Sequence, residues 1–227
     1  MDTYSNTAVL NNIIWCGIVS ETHGITHNSR GNVWGLASEA PPFYPDIITS
    51  NKNVTTQEVV EFIGDRNILS IKDSFANLAM EPFGFKILFD AEWIYHAPVL
   101  ESAVSAWRVV TTEEDLARWT AAYGIEKIIK PQLIGRDDVK IFIHENRDKL
   151  SGFIANAGAG AVGISNVFAT DYHNQNLWKD IVQAVATEFP KLPMVGYEQK
   201  GDLAAILSCG WESLGPLRIW IQSDESR

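Results

Sequence analysis

Two residues with useful chemistry, Tyr197 and Glu198, stand at the end of the short apolar run "PMVGYEQ". A glutamate can take a proton from an amine through a water molecule, and a tyrosine can give a proton to a leaving group. Such a carboxylate can equally point into solvent, and a tyrosine often packs its ring and hydrogen-bonds its hydroxyl. We interpret Glu198 as a candidate base and Tyr197 as a candidate acid, with these structural roles as the alternative.

The histidines and cysteines give weaker evidence of a catalytic or metal site than Tyr197 and Glu198 do. His23 and His27 are four residues apart, a spacing that suits a metal only on a helix, and Gly24 between them disfavours a helix. Cys16 and Cys209 have no cationic or histidine neighbour in the sequence of the kind that activates a thiol. We therefore expect neither a metal site nor a cysteine nucleophile.

The composition limits the possible partners. The chain has 227 residues, a formal net charge of -10 and 46% hydrophobic residues, which is typical of a folded globular protein. Because an acidic surface repels phosphate, we expect no nucleic acid and no membrane partner. Two cysteines and the absence of a basic or long apolar leader favour a cytoplasmic protein.

The second half of the chain alternates helices and strands. Helix patterns cover 111–124 and 176–190, where Thr111 with Glu114 has the spacing of a capping box. Strand-like runs cover 139–145, 150–158, 160–169 and 193–199, and Gly158-Ala-Gly160 has the form of a hairpin turn. The unit "GDLAAILSCGWESLGPLRIWI" then predicts a short helix, a Gly-aromatic turn and a last strand. The order predicts an α/β protein with a mixed sheet flanked by helices.

The first half carries a looser copy of that closing unit, "SFANLAMEPFGFKILFDAEWI", read as helix, turn and strand. A helix over 8–20 precedes a turn-rich loop at 21–32, and a capped helix begins at Thr55 with Glu58 three residues on. The strand "VWGLAS" is matched with "GAVGISNVFA" of the second half. These parallels favour an internal duplication, with a shortened unit over 1–100 and a complete one over 101–227.

The second half resembles the GNAT superfamily of acyl-CoA N-acyltransferases. The resemblance rests on the strand "GAVGISNVFA", the helix "NLWKDIVQAVATEF", the strand "PMVGYE" and the closing "DLAAILSCGW…LRIWI". It covers 107–221 well and the first hundred residues loosely. It implies the GNAT fold, with the strand at 160–169 splayed from a parallel neighbour at 193–198 and acyl-CoA held between them.

The resemblance also implies a function and a set of contacts. Acetyl-CoA or another acyl-CoA would be the co-substrate, and a small-molecule or protein amine would attack its thioester. Glu198 and Tyr197 would serve as base and acid. The residues implied in acyl-CoA binding are Ser165, Asn166, Val167, Phe168, His173, Asn174 and Asn176.

Two departures from the family pattern support an alternative. The family's glycine-rich pyrophosphate loop is replaced by "TDYHNQNLW", and Ile206 and Met80 stand where the family's acidic tyrosine would be in the two copies. The alternative is a non-catalytic GNAT-like scaffold that binds a ligand or a protein in the same cleft.

Overall fold

The computed structural model describes residues 2–100, 105–147, 149–170 and 176–223, and in these ranges one eleven-stranded mixed sheet carries helices on both faces. The helices are α1 (Asp2–Thr22), α2 (Thr56–Ile63), α3 (Glu113–Tyr123), α4 (Leu177–Glu188) and α5 (Lys200–Leu207). The strands are β1 (His27–Arg30), β2 (Val33–Leu36), β3 (Ile47–Thr49), β4 (Ser70–Asp73), β5 (Phe85–His96), β6 (Arg108–Val109), β7 (Val139–Asn146), β8 (Lys149–Gly158), β9 (Ala161–Ala169), β10 (Met194–Gln199) and β11 (Glu212–Gln222). The predicted mixed α/β class is confirmed.

The strands of the two halves interleave at the centre of the sheet, whose order is β1-β2-β3-β4-β11-β5-β10-β9-β8-β7-β6. Each half has an antiparallel meander, β1-β2-β3 or β7-β8-β9, followed by a crossover helix and a parallel strand, β4 or β10. The last strand of each half then joins the other half, because β11 pairs with β4 and β5 pairs with β10. Strands β11 and β5 therefore lie between β4 and β10, and the Lys72 ammonium of β4 lies 4.3 Å from the ring centroid of Tyr197 on β10.

The first half contains elements that the sequence analysis missed. The predicted loop at 21–32 includes β1, which forms an antiparallel hairpin with β2, so an early hairpin is present in this half. The strand parallel to β4 is β3, so β3 and not the predicted "VWGLAS" is the counterpart of β9. Local sequence signals were weak for both strands: β1 is polar and exposed along its length, and β3 has only three residues and begins two residues after Pro45.

The helices also differ from the predictions in detail. The capping box of Thr55 and Glu58 is confirmed, but α3 is capped by Thr112, whose hydroxyl accepts from the Asp115 N–H, and not by Thr111. The helix predicted in the first closing unit is wrong, since only a 3-10 turn forms there, over Glu81–Phe83. In the second closing unit α5 is present.

Helix α1 anchors the centre of one face of the sheet. The Asn11 side-chain amide donates to the backbone carbonyls of Asn156, Gly158 and Ala161 at 3.0–3.2 Å, which fixes the helix over the β8–β9 hairpin. Consecutive residues of β8 face opposite sides of the sheet: Ile154 packs with α3 on one face, and Phe153 packs with α4 on the other. Helix α1 therefore positions its next turn beside the gap described below.

Candidate functional site

Strands β9 and β10 separate after two paired positions. Met194 pairs with Val162 and Val195 with Gly163, but β9 continues to Ala169 and β10 to Gln199. Beyond Gly163 the edge of β9 that faces β10 has no strand partner within the described residues. The splay implied by the resemblance is therefore present, and it leaves backbone N–H and C=O groups open to a ligand.

A β-bulge lies at the point of separation. Ser165 faces Ile154 of β8, whereas Phe168 faces Gly152, so β9 holds one extra residue across this step. Asn166 has a φ of 54°, in the left-handed region that few non-glycine residues adopt. Such a bulge bends its strand and re-aims its side chains, which is how β9 turns away from β10.

A cavity of about 240 Å³, here called the splay cavity, occupies this gap. Five of the predicted site residues line it: Ser165, Asn166, Val167, Tyr197 and Glu198. Other lining residues come from α1, the rest of the first half, α3, β9 and α4: Asn12, Trp15, Cys16, Phe43, Tyr44, Pro45, Lys72, Tyr123, Ile164 and Trp178. The predicted contact residue Phe168 stacks instead on Tyr123, with ring centroids 4.9 Å apart.

A second, larger cavity of about 640 Å³, the sheet-face cavity, adjoins the first. Its lining is mostly apolar and drawn from both halves: Phe43, Tyr44, Pro45, Ser70, Lys72, Leu88, Phe89, Tyr123, Gly124, Ile125, Ile128, Asn166, Tyr197, Glu198, Gln199, Ile219 and Ile221. Asn166, Tyr197 and Glu198 line both cavities. These residues therefore stand at the junction through which groups in the two cavities could react.

Glu198 has the properties of a base. Its side chain is half-buried, and its Oε1 accepts from the Gln199 N–H at 3.0 Å. Burial raises the pKa of the Glu198 carboxyl above its ordinary value, and the negative charge of Asp202 adds to this, against the opposing hydrogen bond. A carboxylate with a raised pKa holds a proton more readily near neutral pH than an exposed one does.

The ring of Tyr197 packs between two groups. Trp93 meets it edge-on at 5.6 Å, and the Lys72 ammonium lies 4.3 Å from the ring centroid. Lys72 itself is 3% exposed, and its Nζ donates to Asn12 Oδ1 at 2.8 Å. Tyr197 thus has the packing role of the structural alternative, and its role as an acid stays a prediction.

Tyr44 is a candidate that the sequence analysis missed. Its hydroxyl is buried and makes no hydrogen bond within the described residues, although Trp15 and Asn166 approach it. Burial, followed by the nearby Cys16 and Tyr197, raises the pKa of Tyr44 well above its ordinary value, so the hydroxyl keeps its proton. The flanking Pro42 and Pro45 restrict the backbone here, and a tyrosine held among prolines was the available signal.

The start of α4 lies beside the splay cavity, since Trp178 of its first turn lines that cavity. Two predicted contact residues, His173 and Asn174, lie outside the described residues. Asn176 is the N-cap residue of α4: its carbonyl accepts from the Asp180 N–H at 2.9 Å, and its side chain makes no capping hydrogen bond.

Other candidates have structural partners. Burial raises the pKa of the Cys16 thiol, which disfavours the reactive thiolate. His23 Nε2 lies 2.8 Å from the Ile128 carbonyl, and His27 Nδ1 accepts from Trp34. Within the described ranges no group of three histidine, cysteine or acidic side chains could hold a metal ion. None of the helices in those ranges is long and apolar enough to cross a membrane.

The comparisons with known proteins agree with this architecture. No family model and no curated protein matches the sequence. Among solved structures, a candidate acetyltransferase of the GNAT family from Novosphingobium aromaticivorans matches with a TM-score of 0.58 and 10% identity, covering 95% of this chain and 99% of that one. A functionally unknown conserved protein from Staphylococcus epidermidis matches with a TM-score of 0.62 and 10% identity, covering 88% and 94%. The chain has the fold of the GNAT superfamily.

Proposed function

We propose that this chain is an acyl-CoA-dependent N-acyltransferase. The acyl thioester lies in the splay cavity, and the acceptor amine, of a small molecule or a protein, enters from the sheet-face cavity. One observation carries the proposal: the two cavities meet at Glu198, in the gap where the parallel strands β9 and β10 part. A donor and an acceptor bound on either side of this gap would be held together for reaction.

The splay cavity suits the thioester end of acyl-CoA. The unpaired edge of β9 offers backbone groups to the amides of the pantetheine arm. The hydroxyls of Ser165 and Tyr44 are buried there without a hydrogen-bond partner among the described residues, and a bound ligand would supply one.

The splay cavity is large enough for only one end of the co-substrate. Its 240 Å³ is below the roughly 300 Å³ at which pockets for drug-sized ligands begin, so the nucleotide end would lie outside it. The N-terminus of α4 is beside the cavity, and helix N-termini favour phosphate groups. The predicted contacts of His173, Asn174 and Asn176 belong to this part of the proposal.

In the proposed reaction Glu198 accepts the proton of the amine. The amine nitrogen forms a bond to the thioester carbonyl carbon, the carbon–sulfur bond breaks, and the products are an amide and the free thiol of CoA. Glu198 receives the proton that the nitrogen loses, directly or through one water molecule. The unpaired backbone N–H groups of the splayed β9 edge are the candidates to stabilise the negative charge on the carbonyl oxygen.

The departing sulfur needs a proton donor. Ile206, at the position of the family's acidic tyrosine, is fully buried in the α4 core and has no hydroxyl to donate. Tyr44 and Tyr197 both line the splay cavity, and the Tyr44 hydroxyl is buried without a hydrogen-bond partner among the described residues, where burial raises its pKa. Tyr44 is therefore the first candidate for the donor, and Tyr197 is the second.

Thermal unfolding in the presence of CoA, acetyl-CoA and a long-chain acyl-CoA tests the proposal. A ligand at 100 times its dissociation constant should stabilise the fold by about 2.7 kcal/mol. Val167→Trp, which fills the splay cavity, should abolish the shift. The matched control Leu88→Trp, at a residue that lines the sheet-face cavity alone of the two, should keep it.

A protein that shows no shift with any of the three compounds would contradict the proposal and favour the non-catalytic scaffold. The buried Ile206 is the observation that supports this second candidate, because a lost acid on α5 is expected once activity is lost. An acyl transfer that Glu198→Gln abolishes would reject the scaffold.

A further inference from the structure

Lys72 is a buried cation whose charge is neutralised by no side chain in the part of the chain that the structure describes. Among the described residues no carboxylate forms an ion pair with it. The adjacent Asp73 carboxylate is engaged elsewhere, where it accepts from the Leu78 N–H at 2.9 Å and from the Trp220 indole at 3.4 Å. The partners of the Lys72 ammonium are the Asn12 amide oxygen and the face of Tyr197.

The Lys72 ammonium has more N–H donors than its partners among the described residues use. An ammonium has three N–H donors, and Asn12 accepts from one of them. Burying a charge without an opposite charge is costly, and a bound anion removes that cost. Since Lys72 lines both cavities, a ligand in either of them can reach it.

The sheet-face cavity combines this cation with an apolar wall and a carboxylate. The wall consists of Leu88, Phe89, Ile125, Ile128, Ile219 and Ile221. Glu198 lines the same cavity and would attract a protonated amine. A zwitterion matches this lining, because Lys72 offers a cation to its anionic end and Glu198 a carboxylate to its cationic end.

We infer that the acceptor is an amino acid with an apolar side chain. Its carboxylate binds the Lys72 ammonium, its amine lies toward Glu198, and its side chain packs on the apolar wall. This inference rests on the proposed function for its reaction, but the binding step can be measured without acyl-CoA.

Calorimetric titration of the full chain tests the binding step with L-leucine, L-methionine and L-phenylalanine, each against its amide, which lacks the anionic group. We expect at least one acid to bind about 10 to 100 times more tightly than its amide, as for loss of a hydrogen bond to a charged group. Lys72→Met should abolish this preference, and Lys72→Arg, which keeps the charge, should retain it. Lys127→Met, which removes an exposed lysine between Ile125 and Ile128, should leave it unchanged.

Two results would overturn the inference. The first is the absence of any preference for the acids over the amides in the wild-type protein, a comparison that holds even if Lys72→Met fails to fold. The second is a Lys72→Met variant that binds the amino acids normally but binds succinyl-CoA more weakly than acetyl-CoA, which would place the anion on the acyl group. A preference for the acids without any CoA-induced shift would contradict the proposed function alone.

Discussion

The two parallel strand pairs, β3–β4 in the first half and β9–β10 in the second, both part after two paired positions, but they end differently. After Lys72 the chain turns: the Ser74 N–H donates to Thr49 Oγ1 at 2.8 Å, and the Asp73 carboxylate accepts from the Leu78 N–H at 2.9 Å. After Val195 the chain runs on as a strand, beside a bulged β9 that has turned away.

The difference shows how two halves with a similar order of strands can have one closed end and one open end. In the first half side chains of the same half satisfy the backbone groups where the strands part. In the second half the corresponding edge stays unpaired within the described residues, and buried hydroxyls of Ser165 and Tyr44 stay without partners there. The second end is therefore suited to a ligand, while the first contributes Lys72 and Tyr44 to the walls of the same site.

Replacing Glu198 with Gln should have the largest effect, because it removes the proposed base at the open end. We expect kcat/KM for acyl transfer to fall by about 10²- to 10⁴-fold, with CoA binding retained. The wild-type rate should fall as the pH drops through the raised pKa of Glu198, at a pH above the ordinary range of a glutamate, since the carboxylate must be ionised to accept a proton.

The control for this change is Glu188→Gln, at an exposed residue at the end of α4. It should leave both the rate and the pH profile unchanged. A Glu198→Gln variant within tenfold of the wild-type rate would remove Glu198 from the mechanism.

Replacing Asp73 with Ala should have the next largest effect, because it opens the closed end. The substitution leaves the buried N–H groups of Leu78 and of the Trp220 indole without this acceptor, so we expect the free energy of unfolding to fall by about 3 kcal/mol. Chemical denaturation measures this loss. Asp65→Ala, at an exposed aspartate of the same half, should change the value by less than about 0.5 kcal/mol. An unchanged stability in Asp73→Ala would refute the contrast between the two ends.

Replacing Tyr44 with Phe should have the smallest of these effects. Unlike Asp73→Ala, it should make the protein more stable. Removing a buried hydroxyl that lacks a partner should raise the free energy of unfolding by about 1 kcal/mol. If this hydroxyl donates to the departing sulfur, the same variant should lose activity. Tyr197→Phe keeps the ring over Lys72 and serves as the comparison. A Tyr44→Phe variant that is both less stable and fully active would contradict its assignment.

The sequence predicted the second half well because its signals are local. The hairpin at Gly158–Gly160, the helix over α4 and the Gly-aromatic turn at Gly210 each follow from spacing within a few residues. Gly210 has a φ of 93° and Gly84 a φ of 83°, the left-handed geometry that a turn after a helix or a 3-10 turn uses. The first half was harder, because its strands are short and Asp73 engages the N–H groups where a helix was expected.

The sequence by itself determined the order of most helices and strands in the second half, the resemblance to the GNAT fold and the placement of Glu198 at a strand end. Only the tertiary structure decided that β5 and β11 change places, that Asn166 lies in a bulge, and that Tyr44, Lys72 and Glu198 line the same cavity. The physical reason is that these features depend on pairing between segments far apart in the chain. Such pairing is the sum of many weak contacts, and no local spacing of residues encodes it.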